Sequence, residues 1–263
     1  MATAKPAKKS DVPATVNDTA NSTLPAFLQA KQGQPARGSE NVGADDMIIP
    51  RLELIQSLSP CLDKENDAAY IEGAEAGLFF NNVTRELYGD TVQVIPVFFQ
   101  KEYIIWKDRK KGGGFVGAFT TMAAAEAAMA ELEDAADHRI NDTVNWFCYL
   151  RHNGKLENIV VSMAVTKLKV SRQWSTLIRL TEQDSFARVY DIGSFTDQNK
   201  AGEKYKNLTV KVNGYPTEEE YLRAEQLYLM VSKGQVQVSR EDDGNATVTG
   251  EKDITPGKEG TEY

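Results

Sequence analysis

Asn145-Trp146-Phe147-Cys148-Tyr149-Leu150, then Arg151-His152-Asn153-Gly154-Lys155, then Leu156 to Met163, is the stretch on which the fold turns. Two runs of aromatic and β-branched residues flank an Asn-Gly pair. Such residues suit a pleated, half-buried surface. Asn and Gly both tolerate the positive φ that a two-residue type I′ turn requires. The stretch therefore predicts an antiparallel hairpin.

Working outward, Thr91 to Phe99 is again β-branched and aromatic, and reads as a strand despite Pro96. Glu102 to Trp106 reads as a further β run. Met47 to Ile55 is apolar but broken by Pro50, which suits an edge strand or an extended entry segment. Gly77-Leu78-Phe79-Phe80 leads into a turn at Asn81-Asn82. Thr121 to Ala136 is made of Ala, Met, Glu and Leu, all good helix formers. Thr166 to Leu180 spaces Leu168, Arg172, Trp174, Leu177 and Ile178 in a helical pattern. Phe186 to Ile192 and Leu208 to Val212 suggest two more strands. Thr217-Glu218-Glu219-Glu220 is a capping box opening a helix over Glu218 to Val231, with Gly234 as its C-cap. Hairpins dominate over βαβ alternation. The fold class predicted is α+β: a mostly antiparallel curled sheet, or a small β-barrel of the oligonucleotide-binding (OB) kind, with about three helices.

The chain has 263 residues, 41% hydrophobic and 26% charged, which excludes a wholly disordered or collagen-like chain. Residues 1–43 are rich in Ala, Pro, Lys, Ser, Asn and Gly and predict a disordered N-terminal arm. Residues 44–234 form the expected folded domain, and 235–263 a flexible acidic C-terminal tail. Two cysteines, Cys61 and Cys148, exclude a disulfide framework and a cysteine-rich zinc site. Two histidines leave little room for a histidine metal cluster. No apolar run approaches the roughly 20 residues needed to span a bilayer. The N-terminus has basic residues but no apolar h-region of a secretory signal. The expectation is a soluble cytoplasmic protein.

The net charge of −8 hides a layout. Residues 44–94 and 216–263 are strongly acidic, whereas 95–215 carry a small basic excess. The total argues against a passive polycation, but screening over roughly 10 Å lets a local basic groove act on its own.

The search for an enzyme is mostly negative. No phosphate-binding Walker loop, G-x-S-x-G or H-E-x-x-H motif is present. Cys148 and His152 are near in sequence, but Cys148 sits in an apolar strand pattern, where a buried structural thiol is the commoner outcome. His138 follows an acidic helix end and reads as solvated. Asp63, Glu65 and Asp67 read as a solvated loop, with a divalent-ion site as the sharper alternative. No catalytic residue, metal or cofactor is assigned.

The constellation with chemical content is Lys101-Glu102-Tyr103-Ile104-Ile105-Trp106-Lys107-Asp108-Arg109-Lys110-Lys111-Gly112-Gly113-Gly114-Phe115. Strand alternation puts Tyr103 and Ile105 on one face, Ile104 and Trp106 on the other. Cations follow on a glycine-rich loop. Aromatics stack on unpaired bases and cations track the backbone, the requirement of a single-strand groove. The bland alternative is core aromatics and a solvated hairpin tip. A second patch sets Lys167, Lys169, Arg172, Arg179 and Arg188 around Trp174. A third is Lys200, Lys204, Tyr205 and Lys206.

This layout resembles bacteriophage single-stranded DNA-binding proteins of replication and recombination. The likeness lies in a β-rich core, aromatics interleaved with Lys and Arg, and an acidic tail ending in Glu262-Tyr263. The segments MIIPRLELIQSLSP (47–60) and KEYIIWKDRKKGGGF (101–115) also resemble uncharacterised phage proteins encoded near replication genes. The resemblance implies Tyr103, Trp106 and Trp174 as base stackers. It implies Lys101, Lys107, Arg109, Lys110, Lys111, Lys167, Lys169 and Arg172 as phosphate contacts. The partner would be single-stranded DNA, with replication or recombination proteins reached through the tail. The rival readings are a protein-interaction or assembly factor without nucleic-acid binding, and a metal-dependent nuclease using Asp63, Glu65 or Asp67.

Overall fold

Pro96 does not break the strand that holds it. In the computed structural model, Thr91–Lys107 is one strand of 17 residues, uniting the two β runs read from the sequence. The pairing slips between Pro96 and Phe98, so Val97 is an extra residue in the ladder. A bulge is where a sheet tolerates a proline and bends. The structure describes residues 38, 48–66, 68–199, 201–233 and 237–238. The arm over 1–43 (Gly38 apart), Asp67, Lys200, Gly234 and the tail (residues 237–238 apart) lie outside the described residues.

In chain order the elements are β1 (Ile48–Ile49), β2 (Leu52–Leu54), β3 (Phe79–Asn81), β4 (Leu87–Gly89), β5 (Thr91–Lys107), β6 (Gly114–Phe119) and α1 (Met122–Ala130). They continue with β7 (His138–His152), β8 (Lys155–Ala164), α2 (Leu168–Arg179), β9 (Val189–Gln198), β10 (Lys204–Gly214), α3 (Glu218–Ser232) and β11 (Gln237–Val238). The expected hairpin forms as β7–β8, closing on His152↔Lys155. Asn153 and Gly154 have φ of 49° and 73°, as the turn demands. The Thr121 hydroxyl caps α1 and the Thr217–Glu220 capping box caps α3. Helix α1 stops at Ala130, short of the expected Ala136, and a 3-10 turn at Ala135–Asp137 leads into β7.

The main sheet has six antiparallel strands in the order β10-β9-β5-β7-β8, with β6 added to β5. Strand β9 pairs with Thr91–Val94 and β6 with Tyr103–Lys107, both on the edge of β5 away from β7. Both faces are covered. On one, Val94, Trp146, Cys148, Leu150, Ile159, Val161, Tyr190 and Ile192 pack against Trp174 of α2 and against β2–β4. On the other, Ile95, Val97, Phe147, Tyr149, Val160 and Val189 pack against Ala224, Leu227 and Val231 of α3.

The OB-like alternative does not form as a closed barrel: among the described residues no ladder joins β8 to β10. The opening is bridged otherwise. The Val160 amide of β8 donates to the Pro50 carbonyl at 2.8 Å. Six residues on, the Gln56 side chain donates to the Lys206 carbonyl at 3.0 Å and accepts from the Lys206 amide at 2.9 Å. One side-chain amide thus does for the β10 edge what a neighbouring peptide would. Helix α2 touches both β8 and β10, lying across the same opening.

Candidate nucleic-acid interface

The Val97 bulge sets the faces of the outer half of β5. Beyond it, Phe99 pairs with Trp146, Lys101 with Val144 and Tyr103 with Asp142. Phe99, Lys101 and Tyr103 therefore share the face of Trp146, at intervals of about 6.6 Å. Phe99 is 43% exposed, and its ring meets Trp146 edge-on at 4.9 Å. Tyr103 is half-buried. The Lys101 ammonium sits 4.7 Å over the Tyr103 ring and 3.0 Å from Asp142. Its contacts with Tyr103 and Asp142 raise the Lys101 pKa.

Beneath this stripe lies a buried polar cluster that the sequence reading missed. Asn145 donates to Glu102 at 2.9 Å, Gln100 donates to the other Glu102 oxygen at 3.2 Å, and Ser162 donates to Asn145 at 2.7 Å. Glu102 and Asn145 are buried. The alternation Gln100-x-Glu102 in an otherwise apolar strand is the only trace of it in sequence. These bonds tie β5, β7 and β8 together under the stripe.

The basic loop is less basic than its sequence. Lys107 pairs with Asp134 at 2.5 Å and Lys111 with Asp137 at 3.8 Å. With Lys101 and Asp142, three lysines of the run have a carboxylate from the segment leading into and along β7. The Lys107 ammonium holds Asp134 below the usual carboxylate range, and Asp134 in turn raises Lys107. Asp108 accepts from the Lys110 amide and caps a 3-10 turn over Arg109–Lys111, which ends at Gly112 with φ 95°. The Lys110 side chain is exposed, and that of Arg109 lies outside the description. Trp106 is half-buried on the opposite face, edge-on to Phe115 at 6.0 Å. Tyr103 and Trp106 thus serve different faces, as the strand period requires.

Trp174 is a core residue. It is fully buried, 4.6 Å from Trp146 and 5.8 Å from Tyr190, so no base can reach it in this fold. The signal that could have shown this is the strongly amphipathic pattern of α2, which turns Val170, Ser171 and Trp174 inward. Lys169 and Arg172 are exposed and Lys167 is half-buried.

The second and third basic patches, far apart in sequence, meet in the fold. Tyr205 of β10 shares a hydrogen bond with Thr166 and donates to Asp197 at 3.0 Å. Asp197, held low by Asn207, the Gln198 amide and Tyr205, also feels the charge of Lys169. Lys167 and Lys169 therefore form a small cluster with Tyr205 and Asp197 where α2 begins, whereas strand alternation turns Lys204 and Lys206 to the other face of β10. Lys206 donates to Thr196 at 3.1 Å. Arg179 lies ten residues along α2 from Lys169, about 15 Å away. Arg188 is stacked 4.2 Å from the Tyr215 ring. Neither joins the cluster. Lys101 on β5 and Met163 on β8 lie in one row through Val144, two strand spacings or about 10 Å apart. Val165–Lys167 follows directly, so the β5 stripe and the lysine cluster flank the start of α2.

The model of the Pam3 phage gp34-like family matches residues 17–237, which takes in every element from β1 through α3. The chain belongs to this family. That membership places it among phage proteins. No curated protein and no solved structure matches the chain.

The remaining candidates carry no comparable arrangement. Cys148 is fully buried, and burial pushes its thiol well up. His152 is engaged with Glu86 at 3.0 Å and packs edge-on against Tyr88 at 4.8 Å, so it forms no dyad with Cys148. His138 is not solvated. Its side chain is 4% exposed and its Nδ1 lies 2.9 Å from the Asp134 carbonyl. Among the described residues no group of three His, Cys, Asp or Glu could hold a metal ion. Among them, too, no helix is long and apolar enough to cross a membrane.

Proposed function

We propose that the protein binds single-stranded DNA with little sequence preference, in phage replication or recombination. The observation that carries this reading is the stripe of Phe99, Lys101 and Tyr103 on one face of β5, an aromatic–cation–aromatic row at the spacing of an extended strand. Bases stack on Phe99 and Tyr103, and Lys101 lies between them. Lys167, Lys169 and Arg172 at the start of α2 supply phosphate contacts. Lys110 and Arg109 supply others at the β5–β6 loop. Trp106 faces the other way and serves the fold with Phe115. Protein partners reached through residues 235–263 belong to the same proposal.

The test is a titration of labelled single- and double-stranded oligonucleotides with wild type and Tyr103→Ala. Stacking on an aromatic ring contributes about 1–3 kcal/mol per base. Tyr103→Ala should therefore weaken single-strand binding roughly 5- to 150-fold. Trp106→Phe should leave it unchanged. Phe99 touches Trp146, so ligand on the stripe should also change tryptophan fluorescence. No single-strand binding by wild type at low salt, or full affinity in a folded Tyr103→Ala protein, would remove the proposal.

A further inference from the structure

Helix α3 has a second face. Ala224, Leu227 and Val231 point into the core. A helix turns about 100° per residue. Leu222, Gln226, Leu229 and Lys233 therefore form a line opposite the buried one, with Glu219 and Met230 beside it. Leu222 and Leu229 are each 49% exposed and Met230 is 41% exposed. Among the described residues, two leucines and a methionine thus lie exposed on the outer side of a helix whose inner line is already packed.

We infer that this face pairs with the same face of a second copy, the two helices running antiparallel about a two-fold axis at Gln226. The register follows from the residues. Centring on Gln226 sets Leu222 against the other copy's Met230, and Glu219 against its Lys233. Each contact occurs twice, as an isologous interface requires. The two Gln226 amides meet on the axis, where each can donate to and accept from the other. A parallel pairing would stack the Glu218–Glu220 turns of both copies on one another, like charge on like. The antiparallel pairing instead brings each acidic N-terminal turn to the other helix's Lys233, in the sense that favours both helix dipoles. This surface lies on the α3 side of the sheet, opposite the face that carries the Phe99 stripe, so it stands or falls apart from the DNA reading.

The experiment is sedimentation equilibrium of the full chain over a concentration series, with wild type, Glu219→Lys, Lys233→Glu and the double exchange. Wild type should show a monomer–dimer equilibrium. Each single exchange sets like charges together twice and should raise the dissociation constant about two- to thirty-fold. The double exchange restores opposite charges and should return the constant to that of wild type. Gln226→Cys, at the axis, should form a disulfide-linked dimer under mild oxidation, with Cys61 and Cys148 buried and silent. A wild type that stays monomeric at the highest concentration would overturn the inference. So would a dimer indifferent to all three charge variants, or a Gln226→Cys that cross-links only within its own chain or to a different protein.

Discussion

Replacing Asp134, Asp137 and Asp142 together by asparagine tests whether the basic run touches DNA. These carboxylates stand 2.5, 3.8 and 3.0 Å from Lys107, Lys111 and Lys101. In the wild type a phosphate arriving at any of these lysines must displace an aspartate already there, and few counterions are left to release. Asparagine keeps the shape and removes the charge. Each lysine freed to meet a phosphate adds about 0.7 to the slope of log affinity against log salt for a single strand. Three lysines add about 2. Between 50 and 200 mM salt, a four-fold change, that is an extra loss of roughly 18-fold in affinity, with correspondingly tighter binding at low salt. Fluorescence anisotropy of a labelled oligothymidylate at four or five salt concentrations measures the slope. The paired side chains are all partly exposed, so the fold should stand, and far-UV circular dichroism checks it. A folded variant with the wild-type slope would refute the reasoning, because the run would then lie outside the interface.

Other outcomes concern the fold itself. The Tyr190 hydroxyl is buried with no hydrogen-bond partner among the described residues, beside the similarly unpartnered Trp174 Nε1. Tyr190→Phe should raise stability to urea by about 1 kcal/mol, and a comparable loss would show that the hydroxyl is bonded. Gln56→Ala removes both bonds to the Lys206 backbone and should cost about 1–2 kcal/mol, whereas an unchanged unfolding midpoint would deny the bridge a role. Glu220 is pushed up by burial, but Arg151 and the Thr217 amide outweigh that and leave its pKa lowered. A lowered carboxylate stabilises the fold above its ordinary pKa, and that contribution is lost as pH falls through the folded value. Glu220→Gln should flatten stability against pH in that acidic window, and an unaltered acid limb would sink the assignment.

Much of the local structure was legible because its causes are local. The Asn153-Gly154 turn, the Thr217–Glu220 capping box and the β runs of β5, β7 and β8 depend on residues a few positions apart. The union of two runs into β5 was not legible, since proline normally ends a strand and only the pairing with β7 accommodates the bulge. The candidate site was legible in part. Tyr103 and Lys101 sit on a usable face. Phe99 shares their face by simple alternation, but only the bulge between Pro96 and Phe98 turns that face to Trp146, and this is not readable in the sequence.

The sequence by itself determined an antiparallel α+β chain, its hairpin, the Thr217–Glu220 capping box and the supply of cations and aromatics. Tertiary structure alone decided which of these can act. The pairing of β5 with β7 carried Asp134, Asp137 and Asp142 against Lys107, Lys111 and Lys101, which are remote from them in sequence. Packing of α2 sealed Trp174 inside the core, and the curl of the sheet brought Thr166 and Lys169 to Tyr205 and Asp197. Charge and burial act over ångströms in space, and the distance along the chain between two residues does not set that separation once a sheet has folded.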